Sequence, residues 1–129
     1  MIKQRLKKAK RLHDVQESLQ QIEEERIARL RARKDDIARQ QSEIVSALSA
    51  DAGLERLYVG RLKSLSEEST RIDKEIEFRS RTLLAIATRT KFAERLVRNY
   101  AQQDAKVDAE KQLLDIIDRI ARGDDASLP

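Results

Sequence analysis

A seven-residue repeat of apolar side chains runs through the second half of the chain. Eight of its nine members are apolar or aromatic, and the row reads Tyr58, Leu65, Ile72, Arg79, Ile86, Ala93, Tyr100, Val107 and Leu114. The chain has a single proline, Pro129, so no interior position breaks a helix for lack of a backbone N–H. A strict repeat of seven over this length makes helices supercoil around a partner helix. The pattern therefore predicts a coiled coil.

Composition favours a narrow helical seam over a globular core. Of the 129 residues, 39% are charged and only 3% are aromatic, which suits one domain of long, solvated helices over 1–129. High charge is also typical of disordered chains. The sustained periodicity and the lack of interior prolines favour helices.

Small and turn-forming residues cluster once inside the chain, at 49–53. Gly53 is suited to the left-handed conformation that closes a helix, and Asp51 or Ser49 to capping the next one. We expect helix 1 over about 2–49, a turn over about 50–53, helix 2 over about 54–122 and a frayed tail over 123–129. A rival start near Lys63 follows from Gly60 and the capping-box spacing of Ser64 and Glu67. Two adjoining helices with a short turn fold back on each other, so the predicted fold is all-α, a long antiparallel two-helix coiled-coil hairpin.

The seam of helix 1 is weaker than that of helix 2. Its first half shows the apolar pairs Leu12/Val15 and Leu19/Ile22, and a one-residue slip near 23–26 then precedes Ile27, Leu30, Ile37, Ile44 and Leu48. In helix 2, Arg79 interrupts the apolar row. It is either a partner contact or a seam residue whose stem packs while its head reaches water.

All of the basic excess lies at the start of the chain. Residues 1–13 carry six cations and no acid, whereas the other 21 basic and 23 acidic residues sum to −2. The six are Lys3, Arg5, Lys7, Lys8, Lys10 and Arg11. Positive charge at a helix start opposes the helix dipole, which favours a functional use. An acidic protein, a membrane surface and RNA all remain open as partners.

A band of apolar residues near the end of helix 2 has no predicted cover. A turn centred near Asp51 places Met1 opposite Gln102, so about 20 residues overhang by about 30 Å. The band consists of Leu113, Leu114, Ile116, Ile117 and Ile120. A band this broad indicates a partner, either a second copy or another protein. The alternative is a later turn that lets helix 1 cover some of the band.

The turn end is a second candidate surface. Apolar residues crowd it at Leu54, Leu57, Tyr58, Val59 and Leu62. They either dock a partner or cap the seam.

The residues required for familiar chemistry are missing from the sequence. Cysteine is absent and His13 is the only histidine, so we expect no catalytic residues, no metal site and no cofactor. No glycine-rich phosphate loop occurs. No stretch approaches the roughly 20 apolar residues of a membrane span, and the basic start lacks the apolar run of a secretory signal. We expect a cytoplasmic, non-enzymatic protein.

Two short segments of helix 2 resemble the FliJ-like proteins of the bacterial flagellar export apparatus. That family and its injectisome relatives show an R-x-x-L stretch followed by K-x-x-E-x-L, and the matching residues here are Arg81, Leu84, Lys91, Glu94 and Leu96. The opening Tyr58-x-x-x-Leu62 and the basic start Lys7-Lys8-Ala9-Lys10-Arg11-Leu12 are also similar.

The resemblance implies a non-catalytic stalk protein. Its two termini would engage a hexameric export ATPase, and the rest would face the export gate or export chaperones with their substrates. It would associate with the inner membrane only peripherally, through the export apparatus.

Three functional hypotheses follow. The first is the export stalk, binding its ATPase through the six cations together with Leu113, Leu114, Ile117 and Ile120. The second is a nucleic-acid-binding coiled coil that uses residues 3–11, which lack the aromatic residues typical of base stacking. The third is a homo-oligomeric scaffold whose overhang pairs with another copy.

Overall fold

A computed structural model describes residues 1–50 and 52–123. It contains helix α1 (Ile2–Ala50), a short 3-10 helix (Ala52–Leu54) and helix α2 (Glu55–Ala121). No β-strand occurs in the described part of the chain. The prediction of an all-α protein is confirmed.

The break between the two helices lies where small residues cluster in the sequence. Gly60 lies inside α2, so the rival helix start near Lys63 is wrong. Gly53 lies in the 3-10 helix, whose backbone dihedrals are right-handed, and does not adopt the predicted left-handed conformation. The Ser49 hydroxyl donates a hydrogen bond back to the Val45 carbonyl over 3.2 Å, within α1, and caps nothing beyond it. Asp51, the other predicted cap, lies outside the described residues.

A glycine closes α2. Gly123 has a φ of 77°, and its N–H donates to the Ile120 carbonyl over 3.1 Å. The Arg122 N–H donates to Asp118 over 2.9 Å. These bonds satisfy carbonyls that the last helical turn leaves open. The rest of the predicted tail, 124–129, lies outside the described residues.

The chain divides into two compact units. Unit 1 comprises Met1–Glu17 and Arg89–Pro129, and unit 2 comprises Ser18–Thr88. Each unit contains a stretch of α1 packed on a stretch of α2.

Unit 2 contains the best-buried apolar core. Ile37 and Leu65 are 1% and 0% exposed and form a cluster with Ile72. Partly buried residues pack against this cluster: Leu30, Ile44 and Ile76. Full burial of side chains of this size stabilises a fold by about 1.5–3 kcal/mol each.

Ion pairs flank the core of unit 2. Arg33 donates two hydrogen bonds to Glu68, from Nε over 2.9 Å and from Nη2 over 3.0 Å. Lys34 Nζ lies 2.6 Å from an Asp73 oxygen. The bidentate arginine–carboxylate geometry fixes α1 against α2 more specifically than a lysine contact can.

Unit 1 packs through smaller side chains. Its buried apolar residues, within the described residues, are Ala9 and Ala93. Two contacts join its helices: Lys3 Nζ lies 3.8 Å from Asp108 Oδ1, and His13 Nε2 lies 3.8 Å from Glu94 Oε1. Alanine buries little apolar area, so unit 1 has a thinner core than unit 2.

The predicted seam of α2 is confirmed over most of its length. From Leu65 to Tyr100 every member of the seven-residue row is buried or half-buried. Val107 is already 37% exposed, and Leu114 is 61% exposed. The seam therefore ends near residue 107.

The predicted seam in the first half of α1 is wrong. Leu12, Val15, Leu19 and Ile22 are exposed, and the next residue in each case is buried or half-buried instead: His13, Gln16, Gln20 and Glu23. The burial pattern keeps one phase, without the predicted slip, through Ile2, Leu6, Ala9, His13, Gln16, Gln20, Glu23, Ile27 and Leu30. The physical reason is that Ile2, Leu6 and Ala9 share the phase of Ile27 and Leu30. Because α1 is continuous, and the apolar residues before and after this stretch are buried on the same face, the polar residues between them must also lie on that face.

Candidate partner-binding site

The basic run of α1 is fully presented to solvent. Lys3, Arg5, Lys7, Lys8, Lys10 and Arg11 are all exposed. No acidic residue lies in the first turn of α1, so nothing there offsets the unfavourable interaction of these cations with the helix dipole.

One cation of the run has an acidic partner. Lys3 is the residue paired with Asp108, and the other five make no ion pair with any residue of 1–50 or 52–123. Lys7, Lys8 and Arg11 line a shallow groove together with Gln4. The run is therefore free to neutralise an external anion.

The apolar band at the end of α2 is exposed as predicted. Its five members, Leu113, Leu114, Ile116, Ile117 and Ile120, are between 49% and 62% exposed. Contiguous apolar patches of this kind are uncommon on monomers and mark interaction sites.

The band lies on a different face of α2 from the seam. Continuing the seam spacing beyond Val107 leads to Lys111, Leu114 and Asp118. Leu113, Ile116 and Ile117 fall between these positions and Ile120 follows the last of them, and each residue step turns the helix by about 100°. The turn lies at Ala52–Leu54 and all five band members are exposed, so the alternative in which a later turn lets α1 cover some of the band is wrong.

The predicted register at this end needs correction. Met1 was expected opposite Gln102, but Lys3 reaches Asp108. The start of α1 thus lies further along α2 than predicted, and the uncovered stretch is shorter than about 20 residues. Both the basic run and the band belong to unit 1.

The turn-end residues are divided between two environments. Tyr58 and Leu62 are half-buried in the seam, whereas Leu54 and Leu57 are exposed. Leu57 and Tyr58 line a groove in unit 2 with four α1 and α2 residues, Gln40, Glu43, Ile44 and Arg61. Tyr58 and Leu62 therefore cap the seam. That Leu54 and Leu57 dock a partner stays a prediction.

A charge cluster forms around the buried Glu23 in the seam of unit 2. Glu23, only 8% exposed, accepts hydrogen bonds from Arg79 Nη1 over 3.3 Å and from Arg26 Nη1 over 3.0 Å. Arg79 Nε also donates to Glu75 over 3.0 Å. The bonds to Glu75 and Glu23 raise the pKa of Arg79 above its ordinary value.

Arg79 is half-buried, with its side chain 26% exposed, and its head binds the carboxylates of Glu75 and Glu23. The two alternatives predicted from the sequence, a partner contact or a packed stem whose head reaches water, both omitted these acids. Since Glu23 was not singled out from the sequence, the cluster was missed. The available signal was an arginine in an otherwise apolar row, which requires a buried acid opposite it.

Sequence reasoning also missed an exposed stripe on α1. The α1 stripe, defined here as Leu12, Val15, Leu19 and Ile22, was assigned to the seam and is instead 40% to 55% exposed. On α2, Phe78, Leu84 and Phe92 are exposed as well.

The described residues offer no arrangement suited to metal binding. No group of three or more His, Cys, Asp or Glu side chains in them could hold a metal ion. His13 lies close to three carboxylates, those of Asp14, Glu17 and Glu94. No helix in the described part of the chain is sufficiently long and apolar to cross a membrane.

The site is thus a basic run and an apolar band in one unit, with no chemistry-bearing cluster beside them. Comparison of the chain with family models, with curated proteins and with solved structures finds no match.

Proposed function

We propose that the protein is a non-enzymatic, cytoplasmic stalk component of a flagellar or type III protein export apparatus. In this proposal it binds and promotes the export ATPase ring, escorts export chaperones to the export gate, and meets the inner membrane only through the apparatus. The observation that carries the proposal is that unit 1 contains both the uncovered apolar band and five cations that make no ion pair among the described residues.

The proposed architecture is an antiparallel two-helix coiled coil. Its support is the order of the interhelical contacts. In unit 2, Arg33 meets Glu68 and the earlier Glu23 meets the later Arg79. In unit 1, His13 meets Glu94 and the earlier Lys3 meets the later Asp108. Within each unit, earlier α1 residues meet later α2 residues, as antiparallel packing requires.

The binding mode combines two kinds of contact. An exposed aliphatic band inserts into an apolar groove and supplies most of the affinity. The basic run accelerates association with an acidic surface and aligns it. Neither contact requires a titrating group or a bound ion, so the proposed role is mechanical and regulatory.

The test replaces the band. The double variant Leu114→Gln/Ile117→Gln should abolish stimulation of the export ATPase and leave helicity nearly unchanged, because both side chains are exposed and contribute little to the fold. Stimulation is measured as phosphate release, and helicity by circular dichroism.

A matched control is Phe78→Gln. Phe78 is 66% exposed, is also on α2, belongs to unit 2 and lies outside the segments that resemble the export family. It should leave stimulation intact. Full stimulation by the band variant would refute the assignment of the band to the ATPase.

A second candidate function is nucleic-acid binding through the groove of Lys7, Lys8 and Arg11. It predicts an affinity for RNA or DNA that falls steeply as salt rises, since each neutralised phosphate releases a counterion. Changing the six cations to glutamine should eliminate it. Salt-independent binding, or binding that survives the substitution, would exclude this function.

The third hypothesis, a homo-oligomeric scaffold, uses the same band. It predicts that sedimentation at micromolar concentration detects an oligomer of the parent protein. The Leu114→Gln/Ile117→Gln variant should sediment as a monomer. A strict monomer excludes it.

A further inference from the structure

The first half of α1 carries two seams side by side. The α1 stripe, Leu12, Val15, Leu19 and Ile22, is exposed, and each of its members immediately precedes a residue of what we term the polar seam. The polar seam consists of His13, Gln16, Gln20 and Glu23, all buried or half-buried. Both sets follow the same alternating spacing of three and four residues. They differ only by a turn of about 100° around the helix axis.

In the observed arrangement, a buried polar group of the polar seam lacks a hydrogen-bond partner within residues 1–50 and 52–123. Gln16 Oε1 is fully buried and has no hydrogen-bond partner among the described residues. Glu23 is buried and accepts hydrogen bonds from two arginines, Arg26 and Arg79. Burial of an unpartnered carbonyl oxygen costs free energy that an apolar side chain in the same place would not.

Helix α2 presents mainly small or apolar buried residues to α1 at this level, and its polar contacts with the polar seam include Arg79 with Glu23 and Glu94 with His13. The buried residues are Ile86 in unit 2 and Thr90 and Ala93 in unit 1. Such a row accepts leucine, valine and isoleucine at least as well as it accepts glutamine. The stripe would gain burial there, and the polar seam would return to water.

The flanking parts of α1 favour the observed arrangement. Ile2, Leu6 and Ala9 share its phase, and in the rotated arrangement their places fall to Met1, Arg5 and Lys8. On the other side, Ile27 and Ile37 are buried and fixed. A rotation of α1 up to Glu23 therefore lengthens the spacing between the last rotated seam residue and Ile27 from four residues, counted from Glu23, to five, counted from Ile22. A π-bulge or a local change of supercoil can absorb this difference.

We propose that residues 12–23 of α1 exchange between two registers against α2. In the first register the polar seam faces α2. In the second register the α1 stripe faces α2, and Glu23 leaves Arg79, which keeps its bond to Glu75.

The exchange couples to the basic run. The second register would bring Arg5 and Lys8 toward the seam, so residues 1–9 detach from α2 when it forms. An anionic partner that holds the run away from α2 thus selects the second register, and selection requires only that the partner bind one register better than the other. The proposal concerns this chain alone and holds whether or not the partner is an export ATPase.

The absence of cysteine in the chain allows a direct test by thiol labelling. Leu12→Cys and His13→Cys variants report the two faces. In the first register Cys at 12, which is exposed, reacts faster with a maleimide than Cys at 13, which is half-buried. A second register populated at about 1–10% limits the protection of position 13 to about 10–100-fold relative to position 12.

Two further variants bias the registers in opposite directions. Gln16→Leu/Gln20→Leu makes the polar seam apolar and should raise the 12-to-13 labelling ratio about tenfold or more. Leu6→Gln weakens the anchor of the first register and should bring the ratio close to one. Circular dichroism verifies that each variant is folded, and if Leu6→Gln does not fold, the glutamine-to-leucine variant alone decides.

The control pair lies where both registers coincide. Ile37→Cys should remain protected and Ala38→Cys reactive in every background, because Ile37 is buried and Ala38 is exposed. A labelling ratio at 12 and 13 that neither variant changes would overturn the proposal. Protection of position 12 that grows with protein concentration would also overturn it, since a second copy would then cover the stripe.

Discussion

Single side chains differ sharply in what they contribute to this fold. Leu65 is completely buried in the unit 2 cluster, and Leu57, two turns earlier on the same helix, is 68% exposed. We expect Leu65→Ala to lower the free energy of unfolding by about 2–5 kcal/mol, because it removes buried methyl groups and leaves a cavity. Urea denaturation followed by circular dichroism measures the change.

The matched control is Leu57→Ala. It should stay within about 0.5 kcal/mol of the parent, as exposed substitutions do. Equal losses for the two variants would contradict the burial that defines the seam.

The Arg33–Glu68 pair gives a prediction about pH. The hydrogen bonds and charge of Arg33 hold the pKa of Glu68 below its ordinary value. The pair therefore stabilises the folded state fully above the unfolded pKa of about 4.3, and this stabilisation is lost as the pH falls through the lower folded pKa.

The measurement compares thermal unfolding of the parent and of Glu68→Gln from pH 7 to pH 2. The parent should be the more stable at neutral pH, and the difference should disappear at the acidic end. A difference that persists there would mean that Glu68 acts through its shape and not through its charge. Since both side chains are partly exposed, added salt should reduce the difference.

At the scale of helices, the two glycines at Gly60 and Gly123 behave in opposite ways. Gly60 is inside α2 and a Cβ there would meet nothing within 4 Å, whereas Gly123 has a φ of 77°. Gly60→Ala should stabilise the protein by about 1 kcal/mol through helix propensity. Gly123→Ala should destabilise it by about 1 kcal/mol, because left-handed backbone is costly for alanine.

Chemical denaturation of both variants tests this pair of predictions. Stabilisation by Gly123→Ala would show that the left-handed turn does not close α2.

Much of the helix layout follows from the sequence, and one part does not. The α2 seam was predictable since its row from Leu65 to Tyr100 is apolar except at Arg79, and the turn was predictable because 49–53 is the one cluster of small residues. The seam in the first half of α1 was not predictable. Leu12 and Leu19 are apolar and therefore suggest a seam, but His13 and Gln20 are the residues that lie on the same face as the buried apolar residues on either side. A local apolar pattern does not show which face of α1 packs on α2, because distant residues such as Ile2 and Ile27 determine that face.

The candidate site shows the same division. The exposure of the band could be predicted because residues 113–120 contain more apolar side chains than a single facing helix can bury. The Glu23–Arg79 pair could not, since the two residues are far apart in sequence and become neighbours only once the register is known.

At the scale of the whole molecule, the two units bury different amounts of apolar surface. Unit 2 includes five buried isoleucine or leucine residues among those described, Ile27, Ile37, Leu65, Ile72 and Ile86, whereas unit 1 buries Ala9 and Ala93. Amide hydrogens of unit 1 should therefore exchange faster than those of unit 2, because local opening there costs less. Hydrogen exchange followed by mass spectrometry measures both units in one sample. Uniform protection of the seam positions in both units would contradict this difference.

The position of the band along the chain also affects how the protein is made. The core residues Ile37, Leu65 and Ile72 precede the band by at least 40 residues, so a ribosome delivers them well before it delivers Leu113–Ile120. The exposed apolar band therefore emerges when the core residues that precede it can already have folded. During synthesis, the apolar band and an unfolded core are therefore exposed at the same time only briefly, which limits aggregation of the nascent chain.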